Sequence, residues 1–258
     1  MNNVLANAAF GDDPRCWPLP LASTPHELWL RAVAAGGQGR YGTAMADLAG
    51  LLQRDDPLAS LAHSTWASFL RQLGWHDRAR GWDGRAMAMA GSDQEAGADA
   101  LIGLAADALG VGRFAASAAA LRRAGELLTA SVPPRLPVRL AWVSAELAMA
   151  SGDGATAVDH ARRAVELAAS LGSARHAVKS DVILAAALCS AGEIEASRRV
   201  ADAALQDAER LGIIPLCWAL ACLLADIGSA RHSASQVLRI RNECAATVRR
   251  RGGDLAQR

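Results

Sequence analysis

Apolar residues along this chain recur three and four positions apart and almost nowhere alternate singly, the spacing of helices that bury one face. HELWLRAVAAG (26–36) and ALIGLAADAL (100–109) are clear examples. Roughly a fifth to a quarter of the residues are alanine, the strongest helix former, and only 4% are aromatic, which predicts many closely packed helices.

Glycine-bearing phrases punctuate the helical stretches. GQGRYG (37–42) carries the letters of the dinucleotide-binding fingerprint, which works only where a strand runs into a helix. The residues before it have helical spacing, and the phrase returns as GVGRFAAS (110–117). A cofactor loop has no reason to recur, whereas an inter-helix turn must. Further copies are LGWHDRA, SGDGATA, AGEIEAS and, more weakly, DIGSARH. Their turn glycines, Gly39, Gly74, Gly112, Gly152, Gly192 and Gly228, are spaced by 35, 38, 40, 40 and 36 residues, the period of a helical repeat array.

Each unit shares one internal grammar. A glycine able to adopt the left-handed conformation closes a first helix. Two residues on stands a larger wedge (Tyr41, His76, Phe114 or Ile194), and three further a small notch (Ala44, Ala79, Ser117, Ala157 or Ser197). Six helix pairs follow, at about 25–54, 58–90, 94–129, 135–171, 174–211 and 213–251, with most prolines between them. Residues 1–24 are expected as an extended arm and 252–258 as a flexible tail.

This pattern resembles tetratricopeptide repeats. At the eighth position of that family's motif the chain reads Ala32, Ala67, Ala105, Ala145, Ala185 and Ala221. The longer units are similar to the extended repeats in the sensor halves of large bacterial transcription regulators. Gly154 in place of a wedge, and a sixth unit without clear wedge or notch, depart from the pattern. The resemblance implies an all-α, right-handed superhelical solenoid whose first helices line a concave groove.

Carried over, the family's groove positions give Trp29, Ser64, Ile102, Trp142, Val182 and Trp218, with Arg71 and Arg139 on the same surface. Tryptophan and arginine dominate binding hot spots, so the expected function is a non-enzymatic, cytoplasmic adaptor or regulator that holds an apolar or amphipathic segment of a partner protein. Read one residue out of register, the same tryptophans become inter-helix core. The family's carboxylate-clamp residues are absent: those positions hold His26, Trp29, Val33, Ser64 and Ser68.

Other features add alternatives. Trp75 and Trp82 are expected on one face of a helix start, as a hydrophobic staple or a second contact surface. Arg239, Arg241, Arg249, Arg250 and Arg251 form a basic patch on the last helix, read as a solvated cap or, alternatively, as the nucleic-acid contact of a transcription-associated regulator. A third reading is a small-molecule sensor. The six histidines are expected at surfaces or turns, with no catalytic or metal-binding pattern, and no cofactor is implied. A formal net charge of +1 gives no general pull toward nucleic acid or membrane. Five cysteines without a C-x-x-C pair read as reduced structural thiols, and the proline-bearing start of the chain lacks the features of a secretory signal. Phe10, Trp17 and the arm's prolines suit such a groove, so the arm is expected either to pack along its own array or to reach a second copy.

Overall fold

A computed structural model describes residues 3–256. Among them are thirteen helices and no strand: α1 (Asn3–Phe10), α2 (Pro25–Gly37), α3 (Tyr41–Ala49), α4 (Pro57–Gln72), α5 (His76–Met89), α6 (Gln94–Gly110), α7 (Phe114–Leu127), α8 (Arg135–Ala150), α9 (Gly154–Leu171), α10 (Ala174–Ser190), α11 (Ile194–Arg210), α12 (Ile214–Ile227) and α13 (Ala234–Arg250). Helices α2 to α13 form the six expected hairpins. GQGRYG is an inter-helix turn: Gly39 sits at φ 74°, a conformation most side chains resist, and the other five turn glycines also have positive φ.

Local chemistry sets the helix starts. Thr24, Asp56, Asp93, Asp153 and Ser233 each accept a backbone N–H of the first turn, and Pro25, Pro57 and Pro215 occupy starting positions that need no donor. The small residues then let hairpins close. All six eighth-position alanines and all five notches are fully buried. Among the wedges, Tyr41 is buried and its hydroxyl donates to Gln72, but Phe114 is exposed on the outer surface.

Successive first helices pack on one another, α2 on α4, α4 on α6 and so on to α12, while the second helices α3 to α11 each pack between the first helices before and after them and α13 packs on α12. First helices therefore form the inner wall and second helices the outer layer. The last hairpin returns to the first. Gly42 donates its N–H to the carbonyl of Arg251, the Arg251 guanidinium donates to the carbonyl of Gln38, and Val248 joins the core of the first two hairpins.

Two expectations need correction. Residues 252–256 are not loose: Gly253 is buried, Ala256 donates its N–H to the carbonyl of Leu73, and the Trp75 indole donates to the carbonyl of Asp254. Nor is the arm simply extended, because it begins with α1 and only then runs irregularly through a cis Trp17–Pro18 bond to Thr24. Residues 1–2 of the arm and 257–258 of the tail lie outside the described residues. Among those described, no helix is long and apolar enough to cross a membrane.

Candidate binding groove

The groove holds the chain's own N-terminal segment. Helix α1 packs on α2 and touches α10, burying Leu5, Ala8 and Ala9, while Asn3, Val4 and Asn7 face outward. An eight-residue helix has little stability of its own, so this one depends on the wall it lies against. Burying Leu5, the two alanines and part of Phe10 contributes on the order of 2–4 kcal/mol.

Phe10 marks the end of α1 and lies in a cationic aromatic slot. Its ring centroid is 5.5 Å from that of Trp29 and 6.0 Å from that of His176. The guanidinium carbons of Arg135 and Arg175 stand 5.4 and 5.7 Å from the Phe10 centroid, within cation–π range. The backbone that follows is held by donors from the wall. Arg175 Nη2 donates to the carbonyl of Ala9 at 3.0 Å, and the first amide of α10, on Ala174, donates to the carbonyl of Gly11 at 3.0 Å. Further along, Gln38 Nε2 donates to the carbonyls of Pro14 and Cys16, and Arg40 lies over the Trp17 ring.

The wall itself carries a chain of buried ion pairs. Arg71 of α4 pairs with Asp83 of α5 and with Asp107 of α6, the latter at 3.0 Å. Gly103 makes this possible, because a Cβ there would overlap the Asp83 carboxylate. Arg135 reaches Glu95 at 2.6 Å and Asp99 at 3.4 Å, and Arg139 also pairs with Asp99. Burial works against the charge on Arg71, but Asp83 and Asp107 outweigh it and raise its pKa. With one cation serving two acids, burial pushes both carboxyls upward, partly opposed by Arg71.

Arg175 differs from these. Among the described residues it has no carboxylate partner, and its Nε is sealed from solvent without an acceptor. Burial, together with the neighbouring Arg135, brings its pKa down to about 10, so it remains charged at neutral pH. His176, buried beside it, is held well below the usual imidazole range by burial and then by Arg175, and its Nδ1 bonds the Ser173 hydroxyl. Ser173 makes no side-chain cap bond to α10, and the helix's first amide goes to the arm's Gly11 carbonyl.

The sequence-derived groove residues fare unequally. Trp29 faces the groove but is covered by the arm, and its indole N–H donates to Thr65 on the next first helix. Trp142 is half-buried, donates to Ser180 on the next first helix and stacks on His176 at 5.3 Å. Trp218 is half-buried against the core of the last two hairpins. Ser64, Ile102 and Val182 are buried core, so they offer a guest no open surface. Arg71 and Arg139 are committed to carboxylates. Phe10 was expected as an anchor of the arm; the missed site residues are Arg135, Arg175 and His176, together with the acids Asp83, Asp99 and Asp107. Acids placed within the alanine-rich apolar helix α6 were the available signal for Asp99 and Asp107, whereas the polar, arginine-bearing stretch around Asp83 offered none.

Trp75 and Trp82 do not meet as a staple. Trp75 packs under Arg78 and binds the tail, whereas Trp82 stacks on Trp66 at 4.7 Å and lies near His63. In the basic patch Arg239, Arg249 and Arg250 are exposed, Arg241 is half-buried, and Arg251 is tied to Gln38. His63 and His176 are buried rather than superficial, because each finds a polar partner inside. Away from the groove, an open cleft of about 720 Å³ on the rim is lined by Asp55, Asp56, Asp93 and Glu95. Asp56 and Asp93 serve as helix caps and Glu95 pairs with Arg135. Among the described residues no cluster of His, Cys, Asp and Glu side chains is arranged to hold a metal ion.

An inner wall of stacked helical hairpins with a helix seated on it defines an all-α helical-repeat protein. Neither the family models nor the curated proteins compared with this chain match it.

Proposed function

We propose that this protein is a tetratricopeptide-like, non-enzymatic interaction module of the cytoplasm whose concave groove holds a short helix from a partner protein. Its own arm occupies that groove in the resting chain and competes with the partner. The observation that carries this reading is the mode in which α1 is held: an apolar helical face on the wall, one aromatic anchor in a slot, and wall donors on the backbone beyond it. This is helix-in-groove recognition.

Loosening the arm tests it. In the full-length Leu5→Ser/Phe10→Ala variant, a fluorescent peptide of sequence LANAAFG should bind saturably, as read by anisotropy. The wild-type chain, with its groove filled, should bind the same peptide far more weakly. A loosened variant that keeps its helical circular dichroism and still binds no peptide would show that α1 is a fixed part of the fold and end this reading.

A further inference from the structure

The turn GQGRYG (37–42) does more than join α2 to α3, because it grips both the arm and the tail. On the arm's side the buried Gln38 side chain donates from Nε2 to the carbonyls of Pro14 and Cys16, at 2.9 Å each. Arg40 Nε donates to Gln38 Oε1, which fixes that amide, and the Arg40 guanidinium carbon lies 3.7 Å from the centre of the Trp17 ring. On the other side the tail crosses the turn backbone to backbone. Gly42 donates to the Arg251 carbonyl at 2.9 Å, and Arg251 Nη1 donates to the carbonyl of Gln38 at 2.7 Å. Gly252 sits at φ 86°, and a Cβ there would come 2.8 Å from the Gly42 nitrogen, so a side chain at 252 and this crossing exclude each other. One residue, Gln38, therefore holds the arm with its side chain and the tail with its carbonyl.

We propose that residues 251–256 are a strap whose seating sets how firmly the arm occupies the groove: lifting the tail loosens the arm, and displacing the arm loosens the tail. Beyond the turn the strap is anchored lightly. Ala256 donates to the Leu73 carbonyl, the Trp75 indole donates to the Asp254 carbonyl, and Leu255 packs on the core of the first two hairpins. A few hydrogen bonds and one apolar contact near a chain end open locally without unfolding the array. When the strap lifts, the Gln38 carbonyl loses the Arg251 guanidinium, and the amide that grips Pro14 and Cys16 is held from one side less. Two segments that bias one shared element are coupled reciprocally, each tightening the other by the same factor. The consequence for a partner, easier entry once the strap is lifted, rests on the groove reading given above; the coupling of arm to tail does not.

Hydrogen exchange on the full-length chain tests it. Gly252→Val should lift the strap by blocking the backbone crossing, and Arg251→Ala should release the Gln38 carbonyl alone. In both, the arm amides between Asn7 and Cys16 should exchange at least ~5-fold faster than in the wild type, while those of α6 to α9 keep their rates. In return, Leu5→Ser/Phe10→Ala should speed exchange of the Ala256 amide by a similar factor. Arm protection that neither tail variant changes would overturn the strap and leave the groove reading intact. A tail that stays equally protected in the arm variant would break the reciprocity and overturn it as well. If the groove reading holds, fluorescent LANAAFG should bind both tail variants more tightly than the wild type. Coupled exchange with no peptide bound by any variant would remove the groove reading and keep the strap.

Discussion

The groove wall across hairpins two to four and the groove mouth at hairpin five treat the same residue type in opposite ways. Arg71, Arg135 and Arg139 are locked into carboxylates supplied by neighbouring helices, whereas Arg175 meets the Ala9 carbonyl and the Phe10 ring of the arm and no carboxylate. A paired buried charge fixes how adjacent hairpins sit, because removing one partner strands the other. An unpaired one contributes little to that geometry and remains available to something brought from outside. The difference separates scaffold from site within one continuous surface.

Substitutions can break or sharpen that contrast. The largest effect is expected at Arg71→Met, which strands two buried carboxylates and should cost about 3–5 kcal/mol in urea unfolding. A loss under about 1 kcal/mol would mean that the wall pairs are not structural. Next comes Phe10→Ala, which empties the aromatic slot; because the ring is only half-buried, about 2 kcal/mol is expected, with faster proteolysis between Asp12 and Asp13.

A smaller effect should appear with pH at His176. Its folded pKa lies below the unfolded value, so the unfolded chain takes up a proton first as pH falls through the ordinary imidazole range, and stability drops with it. Between neutral and mildly acidic pH the wild type should lose about 1 kcal/mol more than His176→Asn, measured by urea midpoints. Equal losses would place His176 in contact with solvent. The smallest effect belongs to Arg175→Met, expected within about 1 kcal/mol of wild type, since it removes a half-buried charge that has no carboxylate partner and strands none. A loss as large as that of Arg71→Met would erase the distinction between wall and mouth.

The repeat architecture was readable because it rests on steric rules that leave marks in sequence. Gly39 and its five counterparts stand where the turn requires positive φ, and Ala32 and its counterparts stand where two helices touch. The groove was less readable, for physical reasons. Helix α1 forms through tertiary contact and, at eight residues, is too short to announce itself. The return of the tail to the first hairpins runs largely through backbone groups of Arg251, Asp254 and Ala256, which no side-chain pattern encodes. Trp29, Trp142 and Trp218 were placed on the concave side, but how much of each ring neighbouring helices and the arm would cover depends on the tightness of the superhelix. Periodicity does not report that.

Hydrogen exchange of residues 3–11 in the wild-type chain, followed with and without a large excess of LANAAFG bearing a free carboxylate, tests most directly whether the arm is a displaceable occupant of the groove. The segment should be protected in the chain alone and lose that protection when the peptide is added, while the Ala174 amide stays protected throughout. Protection of residues 3–11 that the peptide leaves unchanged, or no protection from the start, would contradict it.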